Sequence, residues 1–265
     1  MLVALDVDGT IVDHDLGLSD RVRDAVRDVA AAGHHVVVAT GRSLASTQPV
    51  LDALGLDSGY VVCSNGAVTA RLDPALPGGH ELVDVVTFDP AEALELLHSE
   101  LPDAAFAVEV SDGGVLVAGA FPDGELDGAL RAVEFAQLAG QRATRVVVRS
   151  PEHTTADFVE LVGRVGLHGV NYAVGWTAWL DLAPLGVTKA SALEPVRARL
   201  GVPRAATLAV GDGRNDVEML RWAARGVAMG QGPVEVRQAA DEVTAGVAED
   251  GLADVLEGLL VRAAS

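Results

Sequence analysis

The chain has 265 residues, 49% of them hydrophobic, and its 38 acidic residues against 19 lysines and arginines give a formal net charge of −19. No apolar run reaches the roughly 18 to 20 residues of a membrane-spanning helix, so we expect no membrane partner. So acidic a chain repels the phosphate backbone of nucleic acid, so we expect no nucleic-acid partner. The N-terminus lacks the basic region of a signal peptide, and the single cysteine, Cys63, excludes an internal disulfide, so we expect a cytoplasmic protein.

Strands and helices alternate in the first third of the chain. Residues 2–7 form an apolar run that predicts a buried strand, and Ser19 is placed to cap a following helix that ends at Gly33. Residues 35–39 and 61–63 predict two more buried strands with a helix between them. This alternation indicates parallel strand pairing in a doubly wound α/β sheet.

The pattern changes near residue 82. A helix from Pro90 is followed by two strands flanking a Ser-Asp-Gly-Gly turn, which predicts a hairpin, then by one further helix, a strand at residues 144–148 and more mixed structure. From Thr188 the strand and helix alternation returns. We therefore expect an α/β fold with a doubly wound, mainly parallel sheet in a core of residues 1–81 and 185–265, and an inserted α+β domain of residues 82–184.

The first candidate site lies where the first strand ends, at residues 6–10 (DVDGT). Asp6 and Asp8 would both reach the crevice at the carboxyl edge of a parallel sheet, where open α/β folds bind ligands. Buried carboxylates need a compensating cation. Taken alone, the same residues could also form an ordinary Asp-Gly turn.

A second acidic segment, residues 211–216, follows another predicted strand. Asp212 would join Asp6 and Asp8, so that three carboxylates from two strands suit a hard cation such as Mg²⁺. Asp216, one helical turn later, is better placed to orient the ligands than to bind the ion. A Gly-Asp-Gly turn with a capping Asn is the purely structural alternative.

Two further segments supply groups that bind anions. Thr40 and Gly41 stand between a strand and a helix, where backbone N–H groups are available to a phosphate. Lys189 is the sole lysine and stands at a helix start, which favours a phosphate contact over a solubilising role. Asn65, in the loop after the third strand, is either a substrate contact or a turn residue.

Four segments in this order, residues 6–10 (DVDGT), 39–43 (ATGRS), 186–193 (GVTKASAL) and 211–220 (GDGRNDVEML), resemble the haloacid dehalogenase superfamily of phosphatases. Residues 226–244 and 249–256 are similar to its Cof-type branch, so the resemblance covers nearly the whole chain. The long insertion between Thr40 and Lys189 resembles a type C2 cap domain. One departure is Gln231, where that branch usually has Asn.

The resemblance implies a Mg²⁺-dependent phosphatase acting on a small phosphorylated metabolite, such as a sugar phosphate. Asp6 would be the nucleophile and form an aspartyl phosphate, and Asp8 would be the acid and base. The implied metal ligands are Asp6, Asp8 and Asp212, with Asp216 behind them; the implied phosphate contacts are Thr40, Gly41, Lys189 and Asn215; and Asn65 and Arg42 are candidate substrate contacts.

Two alternatives share these motifs. A phosphomutase would pass the phosphoryl group from Asp6 to a second hydroxyl instead of to water. A sugar-phosphate-binding regulator would keep the fold without catalysis, although the presence of both Asp6 and Asp8 argues against it.

Overall fold

The computed structural model describes residues 1–13, 15–122, 126, 129–150, 152–167, 169–174 and 179–263. The strands are β1 (Leu2–Leu5), β2 (His35–Ala39), β3 (Gly59–Cys63), β4 (Val68–Leu72), β5 (His80–Val85), β6 (Ala105–Val110), β7 (Gly114–Ala118), β8 (Ala129–Ala132), β9 (Ala143–Arg149), β10 (Val170–Val174), β11 (Trp179–Pro184), β12 (Thr207–Gly211), β13 (Arg225–Ala228) and β14 (Glu242–Val243).

The α-helices are α1 (Asp20–Ala31), α2 (Leu44–Leu54), α3 (Ala91–Glu100), α4 (Phe135–Leu138), α5 (Thr155–Val165), α6 (Lys189–Arg199), α7 (Val217–Trp222), α8 (Val234–Ala239) and α9 (Gly251–Ala263). Within the described ranges, no helix has the length and apolar character needed to cross a membrane. The chain divides into two compact units: Met1–Gly41, Thr47–Val83 and Thr188–Ser265 in the first, and Arg42–Ser46 and Asp84–Val187 in the second.

The first unit is built on an eight-stranded sheet in the order β14-β13-β12-β1-β2-β3-β4-β5. The pairs from β14 to β3 are all parallel, and β4 returns antiparallel to β3. The central strand β1 is buried along its whole length, as is β12, because helices cover both faces of a parallel sheet. These strands are therefore apolar throughout, without the alternation of a half-exposed sheet.

The helices of the first unit bury apolar faces against this sheet. Ser19 caps α1 by accepting a hydrogen bond from the Val22 amide, and α1 buries Val22, Val26 and Val29. On the other side, residues of α6, α7 and α8 pack on β1 and β2 in one cluster that includes Leu193. This packing fixes the start of α6 relative to the strand ends.

The second unit has a six-stranded sheet in the order β10-β11-β9-β6-β7-β8, antiparallel except for the β7–β8 pair. Helices α3 and α5 pack on one face around the buried Phe106 and Phe158. On the opposite face, Arg145 pairs with Asp181 at 2.5 Å, and the Trp179 indole donates to the same carboxylate at 3.0 Å. This opposite face combines the ion pair with a small apolar cluster of Ala107, Val115 and Val147.

The predicted fold class, an α/β protein with a mainly parallel sheet, is confirmed. Several details differ from the sequence interpretation, which did not predict the strands β5 and β14. Strand β4 was missed; it exists because the chain reverses immediately after β3, at residues 64–66. The stretch predicted as one further helix before residue 144 instead contains β8, which pairs with β7, and the one-turn helix α4.

A pair of glycine substitutions tests the packing of the first unit. A Cβ on Gly226 in β13 would lie 2.3 Å from the Leu220 carbonyl oxygen, a backbone atom that cannot move aside cheaply. Gly226→Ala should therefore destabilise the protein by about 1 to 3 kcal/mol. Gly258 in α9 has nothing within 4 Å of such a Cβ, so Gly258→Ala should stabilise by about 0.5 to 1 kcal/mol. Urea titrations followed by circular dichroism should give opposite signs, and shifts of the same sign would contradict this packing.

Candidate active site

Four loops of the first unit leave the same edge of its sheet. Because β12, β1, β2 and β3 run parallel, their carboxyl ends meet at one edge, which places Asp6, Thr40, Asn65 and Asp212 there. The Asp6 amide still donates to the Val210 carbonyl at 3.0 Å, and the Thr40 amide to Val62 at 2.9 Å. The sheet ladder thus continues one residue beyond each strand and holds these two positions rigidly.

Three carboxylates converge behind this edge. Asp6, Asp212 and Asp216 each offer an oxygen, and the three oxygens lie within 4.8 Å of one another. The side chains are nearly inaccessible, with relative exposures of 5%, 1% and 0%. Like charges that are this close and this well shielded from water repel each other strongly unless a positive charge is supplied.

Lys189 supplies part of that charge. Its Nζ lies 2.5 Å from Asp6 Oδ1 and 2.6 Å from Asp216 Oδ1, and the side chain is fully buried. The residue opens α6, whose N-cap Thr188 accepts a hydrogen bond from the Ser191 amide. The ammonium group therefore joins the ends of β1, α6 and the loop after β12.

Asp216 uses both carboxylate oxygens inside the protein. While Oδ1 contacts Lys189, Oδ2 accepts hydrogen bonds from the amides of Asp212 at 3.0 Å and Gly213 at 2.8 Å. These bonds close the turn after β12 and set the direction of the Asp212 side chain. This geometry suits the orienting role that the sequence predicts for Asp216.

A strained turn packs against the start of α6. Ser64 and Asn65 have φ angles of 49° and 54°, and Gly66 has 103°, so three consecutive residues are left-handed. A Cβ on Gly66 would lie 2.3 Å from the Thr188 carbonyl oxygen, so only glycine permits this approach. The turn thereby brings Asn65 into the site.

The electrostatics of the cluster favour bound protons when no cation is present. Burial raises the pKa of Asp6 well above its usual range, and Asp216 raises it further while Lys189 opposes both. Burial and Asp216 also raise the pKa of Asp212, to about 7. Burial lowers the pKa of Lys189, but Asp216 and Asp6 outweigh this effect and hold the pKa above its ordinary value, so the lysine stays charged.

The charges in the cluster fit a divalent cation. Three ionised carboxylates against one ammonium group leave two negative charges in a buried space, the amount that one divalent ion neutralises. Oxygen ligands of this kind suit a hard cation such as Mg²⁺. The residues present therefore fit a metal site formed by Asp6 and Asp212, with Asp216 behind them.

A second polar group lies beside the cluster. Asn215 Nδ2 donates to Asn65 Oδ1 at 2.9 Å, and Asn65 is buried. A Cβ on Gly41 would lie 3.2 Å from that same Asn65 oxygen, so the loop after β2 also approaches closely. The structure thus brings together three of the residues predicted to contact phosphate or substrate.

The remaining predicted residues occupy different environments. Asp8 is exposed and lies outside the buried acidic group, although its charge raises the pKa values of Asp6 and Asp212. Thr40 is fully buried, and its carbonyl oxygen accepts from the Asn65 amide at 3.0 Å. Arg42 is half-buried and belongs to the second unit.

Two neighbours of Asp212 have roles that the sequence interpretation did not assign. A Cβ on Gly9, which has a φ of 80°, would lie 2.2 Å from Asp212 Oδ2. Gln231 donates to that same oxygen at 3.2 Å. The Asp8-Gly9 pair after the first strand is a sequence signal that could have indicated the role of Gly9. Gln231 is distant from Asp212 in the sequence, and it differed only in replacing the usual Asn.

Comparison with known proteins points to one family. A family model described as haloacid dehalogenase-like hydrolase matches residues 3–84 and 132–256. A phosphoglycolate phosphatase from Natronomonas pharaonis is 30% identical over 258 residues, which cover 96% of each chain. The 5-amino-6-(5-phospho-D-ribitylamino)uracil phosphatase YitU from Bacillus subtilis is 27% identical over 268 residues, covering 97% of this chain and 96% of the relative.

A solved structure agrees in fold. The phosphatase BT1666 of the haloalkanoate enzyme superfamily, from Bacteroides thetaiotaomicron, superposes with a TM-score of 0.75 at 25% identity, covering 97% of this chain and 94% of that one. The match therefore extends over nearly the full length of both chains.

The raised pKa of Asp212 predicts how stability changes with pH when no cation is added. The carboxyl has a pKa of about 7 when folded against an ordinary value of 3.8, so between these values the folded state binds a proton that the unfolded chain releases. The free energy of unfolding should therefore fall as pH rises from about 4 to about 7. Because Asp212→Asn has no carboxyl to titrate at this position, its free energy of unfolding should fall over this pH range by about 2 to 4 kcal/mol less than that of the wild type.

Urea titrations in a chelator across this pH range measure the effect. Asp57→Asn, at an exposed aspartate, is the matched control and should keep the wild-type slope. Parallel wild-type and Asp212→Asn profiles would rule out the raised pKa.

Proposed function

The chain belongs to the haloacid dehalogenase-like hydrolases, and on this premise we propose that it is a Mg²⁺-dependent phosphatase that hydrolyses a small phosphorylated metabolite through an aspartyl phosphate. The observation that carries the proposal is the buried cluster of Asp6, Asp212 and Asp216 around Lys189 at the carboxyl edge of a parallel sheet. Uncatalysed phosphate-monoester hydrolysis is extremely slow, so positioning and charge neutralisation must supply most of the acceleration.

Asp6 is the proposed nucleophile. Its Oδ1 is held by Lys189, whose positive charge opposes the effect of burial on the Asp6 pKa and whose contact leaves Oδ2 to attack phosphorus. Attack forms the bond from the carboxylate oxygen to phosphorus and breaks the bond from phosphorus to the ester oxygen. The phosphoryl group is then carried on Asp6 until water displaces it and restores the carboxylate.

Asp8 is the proposed acid and base. Its exposed position two residues after Asp6 suits proton exchange with the departing alcohol. It donates a proton to the ester oxygen in the first half of the reaction and takes a proton from the attacking water in the second. The first half therefore leaves Asp8 ionised, and the second half restores the proton that the next turnover requires.

Mg²⁺ is the proposed cofactor, with Asp6, Asp8 and Asp212 as its proposed ligands and Asp216 as their orienting partner. Asp6 and Asp212 would bind through their carboxylates and Asp8 through its backbone carbonyl, so that the Asp8 carboxyl can exchange protons. When bound, Mg²⁺ supplies positive charge against the phosphoryl oxygens. The two uncompensated negative charges of the buried cluster support a divalent ion. Lys189 contacts Asp6 and Asp216 and contributes the remaining positive charge.

The proposed phosphate contacts are Lys189, Asn215, Thr40 and Gly41, and Asn65 and Arg42 are proposed to contact the substrate. The mutual approach of Asn65, Asn215 and Gly41 supports a common binding position for the phosphoryl group. We propose that the inserted segment of residues 82–184 is a cap domain that selects the substrate.

The substrate class is proposed as a sugar phosphate or similar small metabolite. The relatives are named for phosphoglycolate and for a phosphorylated ribitylaminouracil, so the family name alone leaves the substrate open. We also propose a cytoplasmic location, which is supported by the single cysteine, since it cannot form an internal disulfide.

Substitution of the nucleophile tests the chemistry. Asp6→Asn keeps the side-chain volume but removes the attacking carboxylate, so kcat should fall by about 10⁴-fold or more while the circular dichroism spectrum stays unchanged. Asp15→Asn, at an exposed acid of the same segment, is the control and should keep full activity. Turnover by Asp6→Asn within about tenfold of wild type would exclude an aspartyl phosphate at this position.

A substrate panel tests the reaction class. Wild-type protein should release inorganic phosphate from p-nitrophenyl phosphate and from at least one of a set of sugar phosphates, nucleotides and phosphorylated cofactors. Chelation with EDTA should abolish release, and added Mg²⁺ should restore it. Interconversion of sugar phosphate isomers without phosphate release would favour a phosphomutase, and binding without turnover would favour a regulator.

A further inference from the structure

Gln231 connects three separate segments around the acidic cluster. Its Nε2 donates to the Gly9 carbonyl oxygen at 2.6 Å and to Asp212 Oδ2 at 3.2 Å. Its Oε1 accepts from the Val247 amide at 3.0 Å. One amide group therefore links the loop after β1, the loop after β12 and the segment that follows β14.

The backbone that carries Gln231 is itself held on both sides. The Met229 amide donates to Gly211 at 3.0 Å, and the Gly230 amide donates to Ala245 at 3.2 Å. A Cβ on Gly232 would lie 2.9 Å from the Asp212 carbonyl oxygen, so the segment passes directly against Asp212. The backbone at Gln231 is thus held in a fixed position relative to Asp212.

We propose that Gln231 is a positioning residue of the cation site, which orients the Asp212 carboxylate and holds the Gly9 loop so that Mg²⁺ binds tightly. This inference rests on the proposed function in one respect only, the identity of the cation. Hydrogen bonds to the ligands of a metal fix their orientation, and their loss typically weakens metal affinity about 10- to 100-fold.

The geometry explains how one amide has this effect. A hydrogen bond to Oδ2 stops rotation of the Asp212 carboxylate, and so fixes where its other oxygen points. The bond to the Gly9 carbonyl restrains the loop that follows Asp6 and Asp8. Gln231 as a whole is exposed, so water can replace part of these bonds, and the loss should lie at the lower end of the range.

The test compares Mg²⁺ affinity among four proteins without substrate. In Gln231→Met the new side chain has a similar length but neither donor nor acceptor. This variant should raise the Mg²⁺ dissociation constant, measured by calorimetry on the apoprotein, by about tenfold. Gln231→Asn keeps the amide on a shorter side chain and should recover part of that loss. The control is Gln48→Met, because Gln48 also donates to a carboxylate, Asp52, but on the exposed side of α2.

Kinetics with p-nitrophenyl phosphate provide a second measurement. For Gln231→Met, the Mg²⁺ concentration for half-maximal activity should rise by the same factor, while kcat at saturating Mg²⁺ should stay within about threefold of wild type. Gln48→Met should match wild type in both. A residue that only supported folding would instead lower the melting temperature of the apoprotein and leave the Mg²⁺ constant unchanged.

Two outcomes would overturn the inference: an unchanged Mg²⁺ dissociation constant in Gln231→Met, whatever its melting temperature, or a wild-type protein that binds no Mg²⁺. Because the calorimetry uses no substrate, a wild type that binds Mg²⁺ but hydrolyses none of the panel would reject the proposed phosphatase activity while leaving the role of Gln231 supported by its own comparison.

Discussion

The ion pairs of Lys189 with Asp6 and Asp216 are the interaction on which the rest of the site depends. Burying three carboxylates is costly in a low-dielectric interior, and one fully buried ammonium group makes it tolerable. The lysine can do so only because α6 starts against the strand ends, where the packing of α6 on the sheet and the glycine at position 66 place it. Packing, backbone conformation and electrostatics are therefore coupled at this one side chain.

The single charge of Lys189 does not neutralise all three carboxylates of the cluster. Burial and the charge of Asp216 raise the pKa values of Asp6 and Asp212 by more than the charge of Lys189 lowers them. A protein selected only for stability would replace such a group with apolar side chains. The remaining negative charge instead fits the proposed cation, and the cost in stability is offset by the extensive apolar core of the parallel sheet.

Order around the cluster comes from hydrogen bonds as well as from ion pairs. Asp216 sets the direction of Asp212 through two backbone amides, Asn65 contacts Asn215 from a left-handed turn, and Gln231 reaches across from the segment after β13. Glycines at close approaches let these loops pack directly on the carboxylates. The site is thus rigid because several loops restrain each other at one sheet edge, where the strands themselves are fixed.

The amino-acid pattern alone predicts the alternation of strands and helices, the parallel sheet and the edge at which acidic residues accumulate. It does so because a buried parallel strand must be apolar throughout and its carboxyl end shares an edge with its neighbours. The folded chain was needed to show that the buried group consists of Asp6, Asp212 and Asp216 with Asp8 exposed, that β4 turns back beside β3, and that Gln231 reaches the cluster. These features depend on side-chain directions and on contacts between residues far apart in the chain, which periodicity and spacing along the sequence do not encode.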